Sequence, residues 1–201
     1  MIAGIILAAG SSARLGRPKQ LLSLHGEPLL RYTARRVLAT AIDTVLVVLP
    51  AESGPMQQAI ADLPVRIVPN PQAALGQSTS LIAGLTALGN DDVEAVIVFL
   101  GDQPGVDPTV VNRLVARWHE SSAAIVCPEY NDGIGNPVLF DRRMLPALHK
   151  LTGDTGARQV IQERRQRGDV ETVPVDAPAP LDVDTEDDFA AILAAIAAPW
   201  G

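Results

Sequence analysis

An α/β architecture with a mostly parallel central sheet follows from three features of this 201-residue sequence. Short apolar runs alternate with stretches of helical periodicity, which is the pattern of βαβ units. Two of the runs, residues 44–49 and 95–100, are continuously apolar, as strands covered on both faces must be. The first run breaks at Ala8, Ala9 and Gly10 into small residues at a point where a parallel sheet presents its strand ends to a ligand.

In chain order, the apolar start through Leu7 reads as the first strand, and Leu30, Ala34, Val37 and Leu38 recur at helical spacing. Residues 44–49 complete a βαβ unit. A small helix is expected over 56–61, a strand over 65–68, and a loop through Pro69, Asn70, Pro71 and Gln72. Ser78 or Thr79 is expected to cap the helix that carries Leu81, Leu85 and Leu88. Residues 95–100 are the most hydrophobic strand, predicted near the sheet centre and ending in Gly101, Asp102, Gln103 and Pro104. Val111, Leu114, Val115 and Trp118 mark a helix face, and residues 123–127 a strand. Asn131, Asp132 and Gly133 form a hairpin turn ahead of a strand over 137–140. A helix-rich stretch, a strand near 170–175, and a final helix packed through Phe189, Ile192, Leu193 and Ile196 complete the chain. The length fits one domain, divided into residues 1–107 and 108–196 as two functional halves, with residues 177–180 a rigid connector and 197–201 fraying.

Composition limits what the chain does. Hydrophobic residues make up 47%, charged residues 19% and aromatic residues 3%, so the core is aliphatic. A net charge of −7 repels nucleic acid and anionic membranes, and any phosphate ligand needs a local basic patch. Cys127, the one cysteine, excludes an internal disulfide and reads as a packed thiol. Trp118 and Trp200 read as packing residues, and His25, His119 and His149, which lack metal-ligand spacing, as solvated. No span is long enough for a membrane, and the apolar start lacks a basic leader region, so a cytoplasmic location is expected.

Arg14, Arg17 and Lys19 follow the small-residue loop closely and supply the patch. Ala8, Ala9 and Gly10 let backbone N–H groups face one anion, Lys19 adds a compact charge, and Arg14 a planar fork. The spacing is neither a dinucleotide fingerprint nor a P-loop. Asp102, Asp182 and Asp184 are the acids beside expected strand ends. Asp182 and Asp184 point the same way in an extended segment and can share a cation. Two other readings remain open: Asp102 accepting N–H bonds from its own turn, and Asp184 capping the last helix with Asp187 three residues on.

Residues 7–19, with Pro18 before the lysine and Gln20, Leu21 and Leu22 after it, resemble the signature of the MobA-like nucleotidyltransferases. The form here is similar to that of the molybdenum cofactor cytidylyltransferases. The resemblance continues through Ser80, Leu81, Gly84 and Leu85, then Asp102, Gln103 and Pro104, then Gly135 and residues 137–140, then Gly153, Asp154, Gly156, Ala157 and Arg158, and last Asp182, Asp184 and Thr185. It implies a three-layer Rossmann-like sandwich of the glycosyltransferase-A-like type. By resemblance, Leu7, Ala8, Ala9, Gly10, Arg14, Lys19, Ser80 and Asp102 hold the nucleotide, and Lys19, Arg14 and Asp102 carry catalysis. Asn136, Pro137, Asp154 and Arg158 meet the acceptor, and Asp102 with Asp182 or Asp184 binds Mg²⁺. The implied reaction moves CMP from CTP to the terminal phosphate of a molybdopterin-type cofactor and releases pyrophosphate. Transient contact with a molybdoenzyme or its chaperone is the implied partnership, with no nucleic acid and no membrane. Guanylyl-transferring relatives tend to carry Gly where this chain has Ala9, which favours CTP. The family usually has His where this chain has Asn136, which keeps a sugar or polyol phosphate open as acceptor. A non-catalytic cofactor-binding maturation factor is the alternative of a different class.

Overall fold

Strand β1 (Ile2–Leu7) opens the chain of this computed structural model, which describes residues 1–10, 12, 15–89, 92–153 and 157–196. A 3-10 turn (Lys19–Leu21) leads to a small hairpin, β2 (Ser23–Leu24) and β3 (Glu27–Pro28), and to α1 (Leu29–Leu38). Then come β4 (Thr44–Pro50), α2 (Gly54–Ala59), β5 (Arg66–Asn70), α3 (Gln77–Leu88), β6 (Ala95–Leu100) and α4 (Pro108–Glu120). The second half contributes β7 (Ile125–Tyr130), β8 (Gly133–Ile134), β9 (Val138–Asp141), α5 (Leu145–Leu148), α6 (Arg158–Gln166), β10 (Val170–Pro174) and α7 (Glu186–Ala195).

The sheet order is β10-β7-β9-β6-β1-β4-β5, with β8 paired to β7. Strands β6, β1, β4 and β5 are parallel, with Ile5 opposite Leu46 on one side and Val98 on the other. Strand β9 runs antiparallel between β6 and β7, and β10 returns parallel to β7. One sheet thus spans both halves of the chain. Alternation sorts the strand residues onto two faces. Ile2, Ile6, Val45, Val47, Leu49, Ile97 and Phe99 meet Leu30, Ala34 and Val37 of α1 and Val111 and Leu114 of α4. Ala3, Ile5, Leu46, Val48, Val96 and Val98 meet Leu81, Leu85 and Leu88 of α3, with Val160 of α6 on the same face. Gly84 permits this α3 packing, because a Cβ there would lie 2.7 Å from Ile5 Cγ2.

The final helix lies elsewhere. Ile192 of α7, with Phe189, Leu193 and Ile196, packs on Leu22, Leu24, Leu29 and Tyr32 around the small hairpin. The segment leading to it, residues 175–184, crosses the strand ends without regular structure. It is anchored where Asn131 N–H donates to Ala177 O at 3.0 Å, Ala179 N–H to Asp132 Oδ1 at 2.9 Å, and Val183 N–H to Asp102 O at 3.0 Å.

Several local expectations need correction. Gly76 caps α3, so Ser78 and Thr79 lie inside its first turn. There Thr79 Oγ1 donates to Gly76 O at 2.8 Å. The last helix is capped by Thr185, which forms a capping box with Asp188, so neither Asp184 nor Asp187 has the expected role. The hairpin expected here forms, with Asn131 and Asp132 as its two loop residues and Gly133 already in β8, and β8 and β9 run on in one direction, both antiparallel to β7. The strand expected over 123–127 runs from Ile125 to Tyr130, with Cys127 fully buried and its thiol pushed up to about 12 by burial. Trp118 packs on the core and donates to Asp141. His25, though exposed, hydrogen-bonds Ile196 O at 2.7 Å. Trp200 and the rest of 197–201 lie outside the described residues. Among the described residues no helix is long and apolar enough to cross a membrane.

Candidate active site

Two strand ends build the floor of the site. Ala8 N–H donates to Val48 O of β4 and Gly101 N–H to Leu7 O, both at 2.9 Å, so the end of β1 stays locked to β4 on one side and to the end of β6 on the other. Gly101 allows this close approach, since a Cβ there would sit 2.7 Å from the Ala8 Cβ. The next residue, Asp102, therefore emerges beside the loop that follows β1.

Lys19 reaches the same place from the 3-10 turn. Its backbone N–H donates to Ser12 Oγ at 3.1 Å, and its ammonium donates to Asp102 Oδ2 at 2.5 Å and to Asp184 Oδ1 at 3.2 Å. Lys19 is only 8% exposed. Burial works against its charge, but the charges and hydrogen bonds of Asp102 and Asp184 outweigh it, and the Lys19 pKa is raised. Asp182 lies beside this pair and hydrogen-bonds Gln103, whose Nε2 also donates to Pro180 O at 3.2 Å. The Asp182 pKa is raised, first by desolvation and then by the nearby Asp102 charge, with Asp184 adding to it and Gln103 opposing it. Two carboxylates thus share one lysine, and a third lies beside them.

The acids on distant segments do converge, as the sequence led us to expect, and the Asp102 carboxylate turns to Lys19 rather than into its own turn. Among the described residues, however, no group of three acidic, imidazole or thiol side chains forms a ready metal cage. The donor chemistry still fits a hard divalent cation, which takes one or two carboxylates and completes its shell with phosphate and water. Asp102 with Asp182 or Asp184 would supply those oxygens, in competition with the Lys19 ammonium.

At the ends of β1 and β6, a cavity of about 80 Å³ is lined by Leu7, Leu81, Val98, Leu100, Asn136 and Arg158, among others. Leu7, Asn136 and Arg158 therefore share one wall, and Pro137 is buried next to them. Ser80 is not on that wall. It is 5% exposed and its hydroxyl accepts from Asn70 Nδ2 at 3.0 Å, under the start of α3. Arg17 is also elsewhere, paired with Glu186 of α7 at 2.7 Å. Arg14 and Asp154 lie outside the described residues.

Sequence reasoning gave no role to Gln20, Asn70, Gln103 or Tyr130. Asn70 links β5 to the first turn of α3 through Thr79 and Ser80. The Tyr130 hydroxyl donates to Asn136 O at 2.8 Å, holding the loop before β9, and burial pushes that phenol up to about 12. A polar residue between two prolines was the one available signal for Asn70; Gln20 and Gln103 stand within the stretches that carry the family resemblance, without a role that spacing alone assigns, and Tyr130 carries no signal.

Comparison with known proteins places this geometry. The chain is 32% identical over 170 residues to nicotine blue oxidoreductase of Paenarthrobacter nicotinovorans, covering 81% of this chain and 82% of that protein. It is 27% identical over 136 residues to a probable molybdenum cofactor guanylyltransferase of Thermococcus sibiricus, covering 67% and 65%. Among solved structures, an Rv0371c homologue from Mycobacterium sp. strain JC1 superposes with a TM-score of 0.85 at 35% identity, covering 96% of each chain. Rv0371c of Mycobacterium tuberculosis, solved in complex with manganese, gives 0.82 at 28% identity, covering 97% of this chain and 99% of that one. The architecture is the glycosyltransferase-A-like α/β fold of nucleotidyltransferases. Residues 4–170 match the MobA-like NTP transferase domain, and the chain belongs to that family.

Proposed function

We propose that this protein transfers CMP from CTP to the terminal phosphate of a molybdopterin-type cofactor and releases pyrophosphate. The observation that carries the reading is the Lys19 ammonium held between Asp102 and Asp184 beside the Ala8 to Gly10 loop. A phosphate oxygen of the acceptor attacks the α-phosphorus of CTP in line. A new P–O bond forms, the bond to the β-phosphate bridging oxygen breaks, and pyrophosphate leaves with that electron pair. The acceptor phosphate is already ionised, so no general base is assigned.

Lys19 answers charge that grows on the α-phosphate, and Arg14 with the loop amides holds the departing pyrophosphate. Asp102 and either Asp182 or Asp184 would hold Mg²⁺, which when bound would neutralise phosphate charge. Leu7 packs against the nucleotide and Ser80 supports its base or ribose side from beneath. Asn136, Pro137, Asp154 and Arg158 receive the acceptor. Arg158 brings a guanidinium suited to a second phosphate at the cavity that Asn136 also lines. Residues 1–107 serve the nucleotide and 108–196 the acceptor. We place the reaction in the cytoplasm, with hand-over of the product to a molybdoenzyme or its chaperone.

Ala9 supports CTP, because its methyl narrows the loop against a purine. GTP is the second reading, favoured by the relatives named as guanylyltransferases. Pyrophosphate release measured with CTP and GTP, each with and without molybdopterin, tests both. We expect CTP to be preferred by about 1 to 3 kcal/mol from the methyl alone. Equal turnover of the two nucleotides would remove the argument from Ala9, and release with a polyol phosphate but not with molybdopterin would reassign the acceptor.

A further inference from the structure

Gln20 sits directly after Lys19 on the same 3-10 turn and is 1% exposed. Its amide nitrogen donates to Ala8 O at 2.9 Å and reaches Gly10 O at 3.4 Å. The opposite amide orientation would set oxygen against two carbonyl oxygens, so these bonds decide which end faces the loop. The other end, Oε1, is buried without a hydrogen-bond partner among the described residues. A buried acceptor left unpaired costs free energy, and a residue placed there for stability alone would not carry one.

In a trans peptide the C=O and the following N–H point in opposite directions. Holding the Ala8 carbonyl inward against Gln20 therefore turns the Ala9 N–H outward. No acceptor for the Ala9 or Gly10 N–H exists among the described residues. We propose that Gln20 is a positioning residue: by gripping the Ala8 and Gly10 carbonyls from inside, it aims the loop's amide donors at the β- and γ-phosphates of the nucleotide. The proposal rests on the nucleotidyl-transfer reading. One short turn then sets both parts of the phosphate site, Lys19 on its outer side and Gln20 on its inner side.

The test is Gln20→Met, which keeps length and volume but cannot donate. Calorimetric titration with CTP and with CMP should show CTP affinity lowered about tenfold and CMP affinity changed less than about twofold, because CMP lacks the phosphates that the loop holds. Equal losses for both ligands would make Gln20 a structural residue only, and no loss for CTP would leave it without a role in the loop. Should Gln20→Met fail to fold, the wild-type protein decides. Inorganic pyrophosphate should move the Ala9 backbone amide resonance downfield in the ¹⁵N-labelled chain, and an unmoved resonance in a protein that binds pyrophosphate overturns the proposal. A wild-type protein that binds neither CTP nor pyrophosphate would sink the nucleotidyl-transfer reading itself, and the proposal with it.

Discussion

Lys19 shows how much one buried side chain decides. It is held by Asp102 and Asp184, and its raised pKa keeps it charged through neutral pH. The sign follows from linkage: a cation whose folded pKa is raised adds stability below its ordinary value of 10.5 and loses it as pH rises through the folded value. In the transfer proposed above its charge would matter most in the transition state, so Lys19→Ala should lower kcat by about 10²-fold to 10³-fold while changing KM for CTP less than about fivefold. A rise in KM with kcat intact would make it a binding residue.

Asp182 runs the other way. Its raised pKa means that its ionised form, present at neutral pH, is disfavoured in the folded protein. Asp182 is itself solvent-exposed, which screens the effect, so Asp182→Asn should raise Tm only slightly, by less than about 1 °C, at pH 7 in chelator-treated protein, and the gain should vanish as pH falls through the folded pKa and the wild-type carboxyl takes up its proton. A melting series from pH 7 to pH 3 checks this, and a lower Tm for the variant at pH 7 would contradict it.

Among the elements, the strands and the longer helices were readable from period alone. Val45, Val47 and Leu49 face one layer and Leu46 and Val48 the other, as a strand buried on both sides demands. Helix starts were harder, because they depend on backbone geometry that composition does not carry. Gly76 caps α3 at a φ of 114°, a region that a side chain disfavours, so the more obvious Ser78 and Thr79 fall within the first turn. At α7 the sequence offers Asp184, Thr185, Asp187 and Asp188 in a short run, and only the fold selects the Thr185 and Asp188 box.

Thr185→Ala should cost about 1 kcal/mol in urea unfolding, and the loss should appear chiefly as faster exchange of the α7 amides. Gly84→Ala is the harsher change at this scale. The new methyl meets Ile5 Cγ2 at 2.7 Å between α3 and the central strand, and we expect a loss of about 1 to 3 kcal/mol. Unchanged stability in Gly84→Ala would mean that the α3 contact relaxes freely.

Over the whole molecule, the site exists because the chain returns to where it began. The ends of β1 and β6 are fixed by the centre of the sheet, and residues 175–184 are strapped across them by Asp132, Gln103 and Asp102 to deliver Asp182 and Asp184. Lys19, Asp102 and the later aspartates were legible because charge beside a strand end is costly unless it is used. Gln20 and Asn70 were not, because their work is to hold particular carbonyls and hydroxyls whose directions spacing does not encode. The same return path predicts that Asp102 is the least replaceable acid, since it is anchored to β6 while its partners ride on the strap.

The most direct measurement is pyrophosphate release from CTP in the presence of molybdopterin and Mg²⁺, made in parallel on the wild type and on Asp102→Asn. The account predicts cofactor-dependent release by the wild type, and a variant that keeps its circular dichroism spectrum but loses metal-dependent turnover by at least about 10²-fold. Full release by folded Asp102→Asn, or none by the wild type with any nucleoside triphosphate, would contradict it.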